Sequence, residues 1–375
     1  MNSLKRPPAQ LGAFGGIVDM IPAQQRSRGP EELRAHLIEC LGMPASARQP
    51  ADPTLEREWE ADGVHGRLFS WSVGYGPKTE AYWLRPERGP VKAGIVALHD
   101  HSGFKFFGKE KIADGPDAIP PTVAELRAKA YGGRAYANEL ARRGFDVLVP
   151  DTFLWGSRRF DVLAMPAGDR LAGRGLAREQ GVLADPVKAY NAASILHEHT
   201  VEKALRLLGT CMAGVVNFED RMALQFFRNR LPAQIPVACI GLSGGGLRSA
   251  MLSATSPDIS AAVVVGMMAT YESLLNGALD QHTWMLYPPG WSPRADFPDI
   301  AGCRAPRPLL VQYDLHDCLF SIEGMEAAHQ QLERLYATAG SPGNYEGVFY
   351  DGDHKFDREM QEDAFAWLEN VINSQ

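Results

Sequence analysis

One short string in the chain carries residue types that could do chemistry together: Gly241-Leu242-Ser243-Gly244-Gly245. A serine hydroxyl becomes a nucleophile only when it is held clear of its own chain and beside a base. The string directly follows a nearly all-apolar run, Ile235 to Leu242, and a helical pattern starts at Leu247. A serine on a sharp strand-to-helix turn projects above a sheet edge. Small residues two before and two after it keep the strand and helix backbones from colliding. The turn also sets the Gly244 N–H at a helix N-terminus, where it can meet developing negative charge. The plainer reading is a Gly-rich turn with an incidental serine; the flanking strand and helix favour the nucleophile. A dinucleotide fingerprint would need G-x-G-x-x-G spacing, which is missing. Cys211, in Gly209-Thr210-Cys211-Met212-Ala213-Gly214, is a weaker rival: it sits in a helical pattern, and its second glycine is one residue too far away.

A serine of this kind needs a base, and the base needs an orienting carboxylate, in the chain order Ser, acid, His. His316, His329 and His354 follow the turn at useful distances, whereas His282 precedes the acid strand. His329 lies in a helical stretch. His354 sits in the loop Asp351-Gly352-Asp353-His354-Lys355-Phe356, between a strand-like run and the final helix, and is the expected base. The strand Pro308 to Tyr313 ends in Asp314-Leu315-His316-Asp317. Asp317 lies further into the loop and is the preferred acid, with Asp314 as the alternative. A second oxyanion donor is expected from His99-Asp100-His101-Ser102-Gly103-Phe104, with the His101 N–H as first choice and Ser102 next. A metal site on His99, Asp100 and His101 is disfavoured, because adjacent residues on an extended chain point to opposite sides. The loop continues Gly103-Phe104-Lys105-Phe106-Phe107-Gly108-Lys109-Glu110, which has phosphate-loop spacing but a glutamate where a Ser or Thr should hold magnesium.

The elements that must position these residues alternate between strand and helix. Apolar runs at Ala93–Leu98, Phe145–Pro150, Ile235–Leu242, Ile259–Val265 and Arg307–Tyr313 read as buried strands. Helical patterns fall at Ala130–Arg143, closed by Gly144, and at Leu247–Ala254, Gly324–Tyr336 and the last segment around Trp367. This is the pattern of a mostly parallel, doubly wound α/β sheet. Gly66–Val73 and Glu80–Leu84 read as a hairpin ahead of it. Residues 1–60 read as an N-terminal extension with one helix on Leu33, Leu37, Ile38 and Leu41, and 61–375 as the catalytic domain. About eighty residues separate Asp151 from the Ile235 strand, far more than a crossover needs. An inserted helical and loop cap over the active site is expected at about 152–205, and five arginines from Arg158 to Arg178 read as a solvated face, with binding of a substrate carboxylate as the alternative.

Bulk properties exclude several classes. The net charge is −7, and no basic block interleaved with aromatics suggests a nucleic-acid surface. The five cysteines are scattered without a Cys-x-x-Cys pair, which fits free thiols in a reducing compartment. Lys5 and Arg6 precede an apolar run from Leu11 to Val18 that Asp19 interrupts, too broken for a secretory signal. No apolar stretch is long enough to span a bilayer. A cytoplasmic protein without nucleic-acid or membrane partners is expected, and a homodimer is compatible with the sequence.

Taken together, the Leu98–Gly103 loop, Tyr131-Gly132-Gly133-Arg134 leading to Asp151, the Ser243 turn, Ala305-Pro306-Arg307-Pro308-Leu309-Leu310 and His354 resemble the dienelactone-hydrolase-like and acetyl-xylan-esterase-like branch of the α/β-hydrolase superfamily. The resemblance implies an α/β-hydrolase fold, hydrolysis of a carboxylic ester through an acyl-enzyme, and no cofactor or metal. It implies Ser243, Asp317 and His354 as the triad, with Gly244 and His101 as the oxyanion hole. It also implies that the loop after the Ile259 strand, containing His282, Trp284 and Trp291, lines the substrate pocket, with simple packing over the sheet edge as the alternative; Ser102 is expected at the pocket as well. Two departures are Asp100, where a glycine usually follows the first histidine, and a serine where many relatives carry cysteine. An amide- or peptide-cleaving enzyme of the same fold, or a catalytically silent binding protein, is the alternative.

Overall fold

The computed structural model describes residues 8–22, 29–46, 49–275 and 277–373, so Lys5 and Arg6 lie outside it. Its nine strands are β1 (Ala51–Ala61), β2 (Val64–Ser72), β3 (Thr79–Pro86), β4 (Gly94–Leu98), β5 (Asp146–Pro150), β6 (Val237–Leu242), β7 (Ile259–Val265), β8 (Leu309–Asp314) and β9 (Tyr345–Tyr350). The helices are α1 (Pro30–Leu41), α2 (Pro121–Ala130), α3 (Tyr136–Arg142), α4 (Ala167–Glu179), α5 (Pro186–Leu207), α6 (Met212–Arg228), α7 (Gly244–Thr255), α8 (Tyr271–Leu275), α9 (Phe297–Gly302), α10 (Ile322–Thr338) and α11 (Arg358–Asn373). The sheet runs β1-β2-β3-β5-β4-β6-β7-β8-β9. Its first four strands pair antiparallel, and those from β5 to β9 pair parallel.

The central strands are apolar on both faces because both faces are covered. In β4, Val96 and Leu98 point to the side packed by α1, α6, α7 and α9, while Ile95 and Ala97 point to the side packed by α3 and α11. The chain leaves β4 for β5 on one flank and later returns to β6 on the other. That reversal opens a crevice at the carboxyl ends of β4 and β6, where ligands bind in sheets of this kind. The loops after β4, β6, β8 and β9 all emerge at this edge.

Two local expectations change. Residues 51–61, all but the last assigned to the extension by sequence, form the outer strand of the sheet, pairing from Ala51↔Ser72 to Ala61↔Val64. The strand is exposed almost throughout and carries Glu56, Arg57, Glu58 and Glu60, so it lacks the apolar alternation by which a strand is read. Such charges also discourage a further strand from pairing with the open edge. The stretch 130–143 is not one helix: α2 ends at Ala130 and α3 begins only at Tyr136. It is split at Tyr131-Gly132-Gly133, where the glycines have φ of 61° and 78°. Gly144 does close α3, with φ 98° and a Phe145 N–H to Leu140 carbonyl bond of 3.2 Å.

The N-terminal helix is docked onto the main body. Leu33, Leu37 and Leu41 of α1 enter the core, and Thr210 Oγ1 donates to the Leu41 carbonyl at 2.9 Å. Between β5 and β6 lie α4, α5 and α6. The last of these is buried along nearly its whole length, and α5 lies against the loop after β4. Arg158 departs from the expected solvated face. It is buried, bonded to Glu219 at 2.6 and 3.2 Å and to the Tyr75 and Pro77 carbonyls, so it ties the β2–β3 turn to α6.

If α1 belongs to the same cooperative unit as the sheet, Leu37→Ala should lower the free energy of urea unfolding by about 2–4 kcal/mol. The exposed Glu39→Ala should change it by less than about 0.5 kcal/mol. Equal, small effects for both would show that α1 unfolds separately.

Candidate active site

Ser243 joins β6 to α7 with φ 56° and ψ −124°, a backbone conformation that non-glycine residues adopt only under constraint from their surroundings. The constraint comes from both sides. The Ser243 N–H donates to the Val265 carbonyl at 2.9 Å, and the Ser243 carbonyl accepts from Leu247 N at 3.0 Å. Gly241 and Gly245 leave no room for a side chain, since a Cβ on either would run into the Leu98 carbonyl oxygen. A Cβ on Gly244 would lie 2.8 Å from the backbone nitrogen of His101. The loop after β4 and the first turn of α7 therefore pack backbone against backbone beside Ser243. The N–H groups of that first turn have no preceding turn to receive them.

His354 is on the loop between β9 and α11. Its Nδ1 lies 2.6 Å from Asp317 Oδ2. The other Asp317 oxygen accepts from Leu319 N at 2.8 Å, which fixes the carboxylate's rotation. Leu315 N and His316 N donate to the Tyr350 and Gly352 carbonyls, both at 2.9 Å, and so clamp the two loops together. His354 Nε2 is buried and finds no partner among the described residues. Burial pulls the His354 pKa down, but its hydrogen bond to Asp317 and the charges of Asp317 and Asp314 outweigh this, and the net direction is up. Asp314, at the end of β8, instead accepts from Lys355 N at 3.1 Å. Burial with little compensation pushes its carboxyl up to about 7. Ligand-type atoms of Asp314, Asp317 and His354 lie within 4.8 Å of one another, close enough for a cation, although His354 Nδ1 is already engaged with Asp317.

The loop after β4 is held from below by buried charge. Asp100 accepts from the Tyr131 hydroxyl at 2.5 Å and faces Lys111 Nζ at 3.3 Å, while that ammonium also donates to the Asp100 carbonyl at 2.7 Å. Burial alone would raise the Asp100 pKa; Lys111 and the hydrogen bonds from Ser102 and Tyr131 bring it below its ordinary value. The aspartate that replaces glycine here is thus an anchor for the loop. Arg248 of α7 forms two bonds to Asp220, at 2.7 and 3.0 Å, and a third to the His99 carbonyl at 3.2 Å. His101 Nδ1 accepts from Gly103 N at 2.9 Å, and its Nε2 faces Glu198 at 2.9 Å. The side chains of Asp100 and His101 thus have separate partners, whereas His99 Nδ1 faces the Asp100 carbonyl at 3.1 Å and its buried Nε2 finds none among the described residues. Ser102 turns the loop with φ 48° and is exposed.

The expected pocket loop is only partly at the site. His282 lies near the Asp317–His354 pair; burial holds its pKa below the ordinary value, and its Nε2 bonds to the Leu319 carbonyl at 3.0 Å. Trp284 is half-buried, with its indole N–H on His199 at 2.8 Å and its backbone N–H on Glu198. Trp291 is a correction. It is fully buried, stacked on His36 of α1 at 5.4 Å with its N–H on the Asp296 carbonyl, and so it has no face for a substrate. Its aromatic type could not distinguish core from pocket. Cys211 lies at the N-cap of α6 rather than within a helix, and burial pushes its thiol up to about 11. Lys109 is buried among Asp151, Glu80 and Glu110. Sequence reading gave no role to Lys111, Glu198, Asp220 or Arg248. Only Arg248 stood out as a charge in an otherwise apolar helix; Lys111, Glu198 and Asp220 sit among other charged residues.

A mostly parallel sheet with a serine turn after β6, and with the loops after β8 and β9 emerging at the same edge, defines an α/β-hydrolase-type fold. No family model matches the sequence. Over 345 residues the chain is 25% identical to a Bacillus subtilis (strain 168) protein named "Putative hydrolase YtaP", covering 91% of this chain and 99% of that one. Among solved structures, a Bacteroides fragilis "putative acetyl xylan esterase" superposes with a TM-score of 0.65 at 17% identity, over 91% of this chain and 82% of that one. A CE15 esterase from a marine bacterial metagenome gives 0.59 at 13% identity, over 94% and 98%. A glucuronoyl esterase from Solibacter usitatus gives 0.56 at 13%, over 92% of each chain.

The two aspartates should separate cleanly by mutation. Asp317→Asn should lower kcat by roughly 10³–10⁴-fold on a chromogenic ester, as loss of the orienting carboxylate does in a triad. Asp314→Asn should cost less than about tenfold, because an asparagine oxygen can still accept from Lys355 N. A base must be neutral to work, and the raised His354 pKa places the acid limb of the kcat/KM profile above 6.5. Residual activity of Asp317→Asn should show that limb shifted downward. An unchanged limb would disconnect Asp317 from the base.

Proposed function

We propose that this protein is a serine esterase that hydrolyses a carboxylic ester through an acyl-enzyme, with Ser243 as nucleophile, His354 as base and Asp317 as its orienting acid. The observation that carries this reading is the state of His354: Nδ1 is taken by Asp317, and Nε2 is buried and unpaired among the described residues. An imidazole held in that tautomer presents a bare acceptor nitrogen, which is what deprotonation of a hydroxyl requires.

In the reaction, Ser243 Oγ bonds to the ester carbonyl carbon as its proton passes to His354 Nε2. The N–H groups of Gly244 and His101 meet the charge that develops on the carbonyl oxygen. As the tetrahedral adduct collapses, the bond to the leaving alcohol breaks and His354 returns the proton to it. Water then attacks the acyl-enzyme with His354 again as base, which releases the carboxylic acid and restores Ser243. No step calls for a cofactor or metal. In this reading Ser102, His282 and Trp284 line the substrate site. The esterase names of the structural neighbours favour an ester over an amide leaving group. Five cysteines without a disulfide support a cytoplasmic location. No helix among the described residues is long and apolar enough to cross a membrane.

A fluorophosphonate probe should label the wild-type chain and Cys211→Ala but not Ser243→Ala. Ser243→Ala should lose about 10⁵–10⁶-fold in kcat, as nucleophile removal does in serine hydrolases. With matched p-nitrophenyl ester and p-nitroanilide substrates, the ester should turn over faster. Labelling that survives in Ser243→Ala would reject the reading, and a faster anilide would make the protein an amidase.

A further inference from the structure

Glu198 is a buried carboxylate on α5, within the long segment between β5 and β6, and it contacts two different loops at once. Its Oε2 faces His101 Nε2 at 2.9 Å and Lys105 Nζ at 2.5 Å. Its Oε1 accepts from Thr283 Oγ1 at 2.7 Å and from Trp284 N at 3.1 Å. Burial alone would raise its pKa, yet the Lys105 and His101 partners bring it well below the ordinary carboxylate value, so it is ionised. Because Gly103 N donates to His101 Nδ1, the ring carries its proton on Nε2 and donates it to Glu198. The ring is thereby held at both nitrogens. The backbone of the same residue packs against Gly244.

We propose that Glu198 is a positioning residue for ester hydrolysis: it locks the His101 loop against the Ser243 turn and couples that loop to the Thr283–Trp284 loop. The inference rests on the serine-esterase reading above. Glu198 touches no reacting atom. It acts through His101, whose N–H must stay within hydrogen-bond distance of the developing oxyanion for the full effect. Four donors converge on this one carboxylate, two from the loop after β4 and two from the loop after β7. A shift in the substrate-side loop is therefore transmitted to the oxyanion loop through a single group. The long segment before β6 thus contributes to the rate as well as covering the sheet edge.

Glu198→Gln keeps the shape but turns an amide NH₂ toward His101 Nε2–H or toward Trp284 N–H, and leaves Lys105 without its counter-charge. The variant should lower kcat by about 10–100-fold, less than the 10²–10³-fold that follows outright loss of an oxyanion donor. KM should hold within about twofold, since the interaction weakened is one made only in the transition state. The affinity of a trifluoromethyl ketone, which forms a tetrahedral adduct, should fall by the same factor as kcat. His101→Ala removes the tether but keeps the backbone N–H, and should reproduce the kcat loss. The Glu198→Gln/His101→Ala double variant should be no worse than the weaker single variant, because both break one link. Independent, multiplying losses would overturn the proposal, as would full activity in His101→Ala. Should Glu198→Gln fail to fold, His101→Ala alone decides. A Ser243→Ala enzyme that still hydrolyses the ester would instead remove the esterase reading beneath the proposal.

Discussion

The site depends on one close approach, that of the Leu98 carbonyl at the end of β4 to the turn that carries Ser243. β4 and β6 are paired so that Leu98 lies opposite Gly241, and Gly241 and Gly245 present only hydrogen where a side chain would overlap that carbonyl. This contact sets the angle at which α7 leaves the sheet. It also forces Ser243 into a backbone conformation that the surrounding bonds must hold. Every other feature of the site is arranged around the serine that this geometry fixes. A methyl group at either glycine would move Ser243, the helix N-terminus and the neighbouring loop together.

Around that contact the molecule uses buried charge to fix loops in place. Lys111 with Asp100, Arg248 with Asp220 and Lys105 with Glu198 are all buried pairs within the segments that border Ser243. Such pairs add little net stability relative to apolar packing, but losing one partner leaves an expensive unpaired charge. They make each loop conformation costly to leave, which suits a site whose donors must not reorganise during the reaction. The neighbouring Asp314 is the exception: its carboxyl is buried without a cation on it, and this pushes it toward neutrality. Asp317, beside it, is the carboxylate that reaches the imidazole.

Local features of the sequence foretold the strands of the central sheet and the turn at Ser243, and they singled out Asp317 and His354, whose side chains meet. They did so because apolar runs, glycine spacing and loop position are properties of contiguous residues. Features made by distant residues were not legible. β1 is an edge strand with a charged, exposed surface, so nothing in its own residues reports its pairing with β2. Glu198 reads as one more polar position on a long helix until the fold brings His101 and Thr283 to it. Trp291 reads as a pocket aromatic in a Pro-rich loop, and only its stacking on His36 shows it to be core. The choice between Asp314 and Asp317 also needed coordinates, because three residues of loop determine which carboxylate turns toward His354.

The central claim is that Ser243 becomes covalently acylated during turnover. The direct measurement is acid-quenched mass spectrometry of the enzyme mixed with p-nitrophenyl acetate, followed by peptide mapping. The account predicts one acetyl group per chain, located on the peptide containing Ser243 and accumulating before steady state. An acetyl group on the Cys211 peptide, or steady hydrolysis with no acyl group on Ser243 at any quench time, would contradict it.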